Sequence, residues 1–216
     1  MSERSPVPSP GAAPPGLRAD CAGCLGLCCV ALPFAASSDF ALAKDAGRPC
    51  PNLGADLRCG IHARLRQEGF TGCAVFDCFG AGQKISQVTF AGRDWRQDPD
   101  TAREMFAAFP VMRQLHELLW YLTQALALRP ARPLHGELRR ALHATERLTL
   151  GDARQLAELD LAAHREGVAA LLSRASALVR ATAPAPPGRG RPRVRRRADL
   201  AGADLRRADL RGADLR

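Results

Sequence analysis

Aromatic residues are scarce, at 5% of 216 residues with a single tyrosine, so a core must come mainly from leucine and alanine. No apolar run approaches the ~20 residues that cross a bilayer, and no membrane contact is expected. The first twenty residues, rich in Pro, Ser, Gly and Ala, lack the apolar stretch of a secretory leader. The expected compartment is therefore the cytoplasm, where thiols stay reduced. Several catalytic signatures are also missing: no nucleophile stands beside a base, no Gly-rich loop is built to cradle phosphate, and no carboxylates are paired for acid–base work. His116, His135, His143 and His164 have no partners at metal-site spacing and read as surface or helix-face residues. These gaps favour a binding or sensing protein over an enzyme.

Cysteine is absent from the last 138 residues, yet eight cysteines crowd the first 78: Cys21, Cys24, Cys28, Cys29, Cys50, Cys59, Cys73 and Cys78. Four of them fall in the nine residues from Cys21 to Cys29. A Cys-x-x-Cys turn sets two thiolates on one side of a tight loop, close enough to share an ion at about 2.3 Å per Zn–S bond. Gly23 and Gly26 are expected to supply the bends. Thiolates are soft donors that select zinc, copper(I) or iron–sulfur clusters. Two four-coordinate zinc ions or one iron–sulfur cluster with spare thiols both fit the count. His62, three residues after Cys59, is a candidate extra ligand and reads equally as a solvent-facing helix residue.

The run CAGCLGLCC, then PCPNLGADLRCGIHARL and GFTGCAVFDCFGAG, resembles the bacterial CxxCxxCC family of zinc- or iron-chelating cysteine-cluster proteins over residues 21–85. Cys50, Pro51, Leu53, Cys59, Ile61 and His62 match that family's middle pattern, and Cys73 and Cys78 its terminal pair. Here three residues separate Cys24 from Cys28, where the family has two, so the resemblance assigns no four ligands to any one ion. It implies a zinc or iron cofactor and a small domain folded by its metal.

From residue 100 the apolar pattern turns helical: Met105, Phe106, Phe109, Met112, Leu115, Leu118, Leu119, Leu122 and Leu126 recur at three- and four-residue spacing. Pro110 predicts a break or kink, with the longer helix starting there and ending at Leu128. A second helix is expected over 134–147, and a third capped by Thr149 or Asp152. Trp95, Trp120 and Tyr121 read as core anchors.

Beyond residue 182 the sequence loses its core-forming residues. Residues 183–197 hold Arg189, Arg191, Arg193, Arg195, Arg196 and Arg197 among prolines, a composition that predicts a disordered linker and accounts for most of the +9 net charge. Nucleic acid is a conceivable partner for these arginines, but no aromatics are interleaved to stack on bases, which favours a spacer. Residues 198–216 then repeat A-D-L-x-x with a period of five, placing Ala198, Leu200, Ala203, Leu205, Ala208, Leu210, Ala213 and Leu215 in a common interior. This resembles the pentapeptide-repeat family, whose fold is a four-sided β-helix; four units make one coil, which is expected to continue or to borrow a protein partner.

The expected architecture is mainly α. It comprises a disordered tail (1–20), a small metal-organised cysteine domain (21–98), a helical bundle (99–182), a disordered basic linker (183–197) and one incomplete coil of pentapeptide-repeat β-helix (198–216). The expected function is metal binding joined to an interaction module, non-enzymatic; an iron–sulfur redox enzyme is the alternative. A DNA-mimicking, topoisomerase-interacting protein needs a strongly negative rod, but here Arg206, Arg207, Arg211 and Arg216 meet the four repeat aspartates.

Overall fold

A computed structural model describes residues 14–182. The N-terminal tail, the basic linker and the repeat interior expected from sequence lie outside these, apart from residues 14–20. Among the described residues the chain is mainly helical, and β structure is confined to two isolated bridges, Phe34 with Lys44 and Leu53 with Cys59.

The chain is organised by one 29-residue helix. Three short α-helices come first, α1 (Leu27–Val30), α2 (Thr71–Val75) and α3 (Ala81–Gln83), and then the long helix itself, α4 (Pro99–Ala127). α3 widens directly into a π turn over Lys84–Thr89. After α4, a 3-10 turn (Arg129–Leu134) leads to α5 (His135–Leu148), α6 (Ala153–Ala157) and α7 (Leu161–Ala181).

α4 starts at Pro99, ahead of the Pro110 start expected, on a strong local cap. The Asp98 carboxylate accepts from the Asp100 and Thr101 backbone N–H groups and from the Thr101 hydroxyl at 2.6 Å, and Pro99 takes the first turn, where no N–H is needed. We expect Asp98→Ala to cost about 0.5–2 kcal/mol, read as a lower urea midpoint at unchanged slope.

The expected break at Pro110 does not occur; α4 runs through it. An interior proline forfeits a hydrogen bond and costs about 3 kcal/mol. Against that, Met105, Ala108 and Phe109 before it and Met112 and Leu115 after it are all buried in one core. Each large apolar side chain so buried contributes about 1.5–3 kcal/mol, so continuity wins. The third helix expected from sequence is instead two. Asp152 and Gln155 close a reciprocal capping box on α6, the chain bends after Ala157, and Asp160 caps α7 by accepting from Ala163 N–H.

The two halves of α4 serve two cores. Its C-terminal half buries Leu118, Leu122 and Ala125 with Ala131, Leu134, Leu138, Val168, Leu171 and Ala175, the three-helix packing that the periodicity predicts. Its N-terminal half packs Met105, Phe109, Met112 and Leu115 against Leu27, Val30, Ala81, Ile85 and Phe90 of the cysteine segment and Leu156 of α6. One core thus crosses residue 98, where the sequence suggests a boundary. Trp95 joins this core and its indole N–H donates to the Leu25 carbonyl at 2.9 Å. Tyr121, read as a core anchor, is 42% exposed, whereas His116 is buried. Among the described residues no helix is long and apolar enough to cross a membrane.

Candidate metal centre

The cysteines sit on short, irregular segments that the core and a set of side-chain bonds hold in place. The loop carrying Cys21 and Cys24 is stitched to the α3–π-turn segment. Gln83 accepts from Asp20 N–H and donates to the Arg18 carbonyl, the Ser86 hydroxyl accepts from Leu25 N–H, and Gln87 donates to the Gly23 carbonyl. π turns concentrate at functional sites, and this one aims three polar side chains at a single loop. The chain bends at Gly23 and again at Gly26, where φ is +68, and α1 begins, bringing Cys28 and Cys29 into its first turn. A β-carbon on Gly26 would lie 2.9 Å from the Leu57 carbonyl oxygen, so no other residue fits that bend.

Backbone bonds bring in the middle pair. Cys50 N–H donates to the Cys29 carbonyl at 2.9 Å, and the bridge between Leu53 and Cys59 folds the 50–60 hairpin so that Cys59 returns beside Cys50. The terminal pair is split. Cys73 rides on α2, whereas Cys78 lies beyond that helix, against α3. There a β-carbon on Gly82 would lie 2.6 Å from the Cys24 sulfur and 3.9 Å from that of Cys78, which forces glycine at position 82 and sets both sulfurs about one point.

The thiols' mutual electrostatics draw the same grouping. Burial first, then the charges of Cys28 and Cys78, push the Cys21 thiol up, with Arg58 pulling the other way. Burial lifts Cys24 to about 11, with Cys28 and Cys78 adding to the rise. Cys59 is raised by burial and by Cys50 and Cys28, and Cys73 to about 11 by burial and by Cys28, Cys50 and Cys59. Cys28 is raised furthest, chiefly through its sulfur contact with Cys29. Cys28 thus acts on Cys21, Cys24, Cys59 and Cys73 alike, Cys78 on Cys21 and Cys24, and Cys50 on Cys59 and Cys73.

One basic residue, missed in the sequence, belongs here. Lys44 is 7% exposed, and its ammonium donates to the carbonyls of Val30, Asp45 and Arg48 at 3.1, 2.9 and 2.9 Å. Burial lowers its pKa; Cys50, Cys29 and Cys28 act to hold its charge. A buried cation facing thiols offsets the negative charge that gathers when they ionise. The available signal was compositional: Lys44 is one of only two lysines in a chain whose other basic residues are all arginine. His62 lies exposed on a 3-10 turn (His62–Arg64), its N–H donating to the Cys59 carbonyl.

All eight cysteines are free thiols. The Cys28 and Cys29 sulfurs are 3.9 Å apart. That is far from the ~2.05 Å of a disulfide, and close to the edge, about 3.8 Å, of a tetrahedron with Zn–S bonds of about 2.3 Å. The donor set therefore fits a thiophilic metal. The placement is not that of a closed site: among the described residues no three Cys, His, Asp or Glu side chains are arranged to hold an ion.

A class assignment is available for one end of the chain. Residues 196–216 match the family described as "Pentapeptide repeats (8 copies)", in agreement with the five-residue period. The match covers Ala198 to Leu215 and leaves residues 21–85 to be judged on their own chemistry. The chain is also 53% identical over 167 residues to an uncharacterized protein, YybG, of Bacillus subtilis (strain 168), covering 77% of this chain and 60% of that protein. This chain therefore spans about three fifths of its relative's length. A match of 167 residues within 216 necessarily spans residues 50–167, so the likeness runs through the helical body and not the repeats alone. No solved structure matches.

Proposed function

We propose that this is a metal-binding protein with a pentapeptide-repeat interaction arm. The helical body carries a two-ion thiolate centre for zinc or iron, and the repeats present a surface to a protein partner. The observation that supports the reading is that all eight thiols are free, with the Cys28 and Cys29 sulfurs 3.9 Å apart and those of Cys24 and Cys78 both beside Gly82. Counting four donors per ion divides them as Cys21, Cys24, Cys28 and Cys78 for the first and Cys29, Cys50, Cys59 and Cys73 for the second. The residues' work is to bind and enclose. α1 presents Cys28 and Cys29, α2 presents Cys73, the irregular segments between present the rest, Lys44 offsets their charge, and the shared core holds α1 and α3 in place. A metal held this way supplies structural linkage when zinc, and one-electron chemistry when an iron–sulfur cluster. Eight reduced thiols belong to a reducing compartment, hence a cytoplasmic assignment.

Because several of these thiols are protonated near neutral pH, metal uptake releases protons and strengthens as pH rises. The test is metal analysis and an absorption spectrum of the full chain prepared anaerobically. Two equivalents of zinc and a colourless solution are expected for a structural or sensing centre; a brown solution with thiolate-to-iron absorption assigns the iron–sulfur alternative. Metal below about half an equivalent, with no uptake on titration, overturns the reading.

A further inference from the structure

A cavity of about 300 Å³ lies where α4, α5, the π turn and the 3-10 turn Pro15–Leu17 meet. That volume is at the lower end of the range that small-molecule sites use. None of the eight cysteines lines it. Leu17, Leu119 and Leu142 give it an apolar wall, and three ionisable side chains join them: Lys84 from the π turn, His116 from α4 and Glu146 from α5.

His116 is 4% exposed, and its Nδ1 lies 2.7 Å from the Phe79 carbonyl. A carbonyl only accepts, so Nδ1 carries the proton. Burial lowers the His116 pKa, with the Phe79 bond opposing the shift and the Lys84 charge adding to it. The ring is therefore neutral near pH 7, and its Nε2 is a bare acceptor. Among the described residues Nε2 has no hydrogen-bond partner and is not sealed from solvent. An acceptor on a nearly buried ring, facing a cavity with no partner, calls for a donor.

Lys84 and Glu146 line the same cavity without pairing with each other. Among the described residues the Lys84 ammonium forms no ion pair, and Glu146 uses one carboxylate oxygen for the exposed His143 on its own helix. An inorganic anion would suit Lys84 but meet Glu146 as a like charge. A purely apolar molecule would leave all three polar groups as they are. A zwitterion answers both charges at once. Its ammonium supplies the donor that His116 Nε2 lacks, and an apolar side chain covers the leucines.

We propose that this cavity binds a free α-amino acid with an apolar side chain of about leucine's size. Its carboxylate lies on Lys84, its ammonium on His116 and Glu146, and its side chain on Leu17, Leu119 and Leu142. The site is separate from the thiols, and its occupancy does not depend on metal.

The experiment is isothermal titration calorimetry of the full chain with L-leucine, with circular dichroism on each variant. Truncated probes divide the ligand into its parts: glycine lacks the side chain, 4-methylpentanoate the ammonium and 3-methylbutylamine the carboxylate. Each is expected to bind at least about tenfold more weakly than L-leucine, as loss of a charge-assisted bond or of buried apolar surface requires. Lys84→Met keeps the aliphatic stem, Glu146→Gln keeps the shape, and His116→Phe keeps the ring. Each is expected to weaken L-leucine by at least about tenfold. No binding at roughly 10 mM L-leucine overturns the proposal. So does a truncated probe that binds as tightly as L-leucine, or a Lys84→Met chain with unchanged affinity. Should His116→Phe lose its helical signal, Lys84→Met and Glu146→Gln decide the matter.

Discussion

Phe109→Ala destabilises the cysteine segment and the helices together, by about 3–5 kcal/mol. Phe109 is fully buried in the N-terminal half of α4, within the core that takes Leu27, Val30 and Ala31 from around α1, Ala81, Ile85 and Phe90 from around α3, and Leu156 from α6. Removing the ring opens a cavity where four segments meet, and a rigid helix on one side limits how far they collapse into it. Typical domains are stable by about 5–15 kcal/mol, so this one substitution takes a large part of the total. Because α4 also carries Leu118, Leu122 and Ala125 into the second core, the loss should not stay local. Urea unfolding followed by far-ultraviolet circular dichroism and by thiol labelling is expected to give coincident midpoints, shifted equally in the variant. Thiol labelling that moves while the helical signal stays in place would show that the cysteine segment and the bundle unfold independently, and the shared-core account would fail.

That shared core also explains which parts of the structure were legible in the sequence. The stripe from Met105 to Leu126, the stop at Arg129 and Pro130, and the Asp152 cap are local signals: each depends on residues within a turn or two, and each corresponds to an element here. Pro110 misleads because its cost is local while the burial that outweighs it comes from segments up to 80 residues away. The packing of Leu27, Val30, Ile85 and Phe90 against α4 has no periodicity to announce it, since these residues lie on one-turn helices and irregular chain. The burial of His116 is hidden for the same reason; only the position of Phe79 reveals a partner for it.

The cysteine group was legible as a cluster but not as a set of pairs. Spacing suggests Cys73 with Cys78, yet it is the Cys24 and Cys78 sulfurs that both lie beside Gly82. Non-glycine residues with positive φ flank the group, Leu57 shortly before Cys59 and Phe79 directly after Cys78, and no sequence rule flags either. The repeat, by contrast, is wholly a matter of period, and a five-residue period needs no tertiary information to be seen.

Cys28→Ser is expected to be the most damaging of the eight cysteine substitutions for metal uptake. The reason lies in its position. Cys28 is the thiol whose charge is felt by Cys21 and Cys24 in one group and by Cys59 and Cys73 in the other, and its sulfur lies 3.9 Å from that of Cys29. On the metal reading proposed above, an ion in either group would lie beside it. Serine keeps the size of the side chain and its helical turn but replaces a soft thiolate with a hard, weakly acidic hydroxyl, which zinc and iron–sulfur clusters do not select. Structural zinc sites supply about 10–16 kcal/mol of folding free energy, so losing one ligand at a junction of two ions removes a large linkage. Cys21, exposed at the edge of the same group, is the fitting comparison. Cys21→Ser should leave one equivalent bound at its original affinity, whereas Cys28→Ser should lose one equivalent outright and weaken the second. Competition against a chromophoric zinc chelator measures both affinities in each variant. Equal losses from Cys21→Ser and Cys28→Ser would mean that the two groups bind independently and that Cys28, a ligand of the first ion, has no influence on the second.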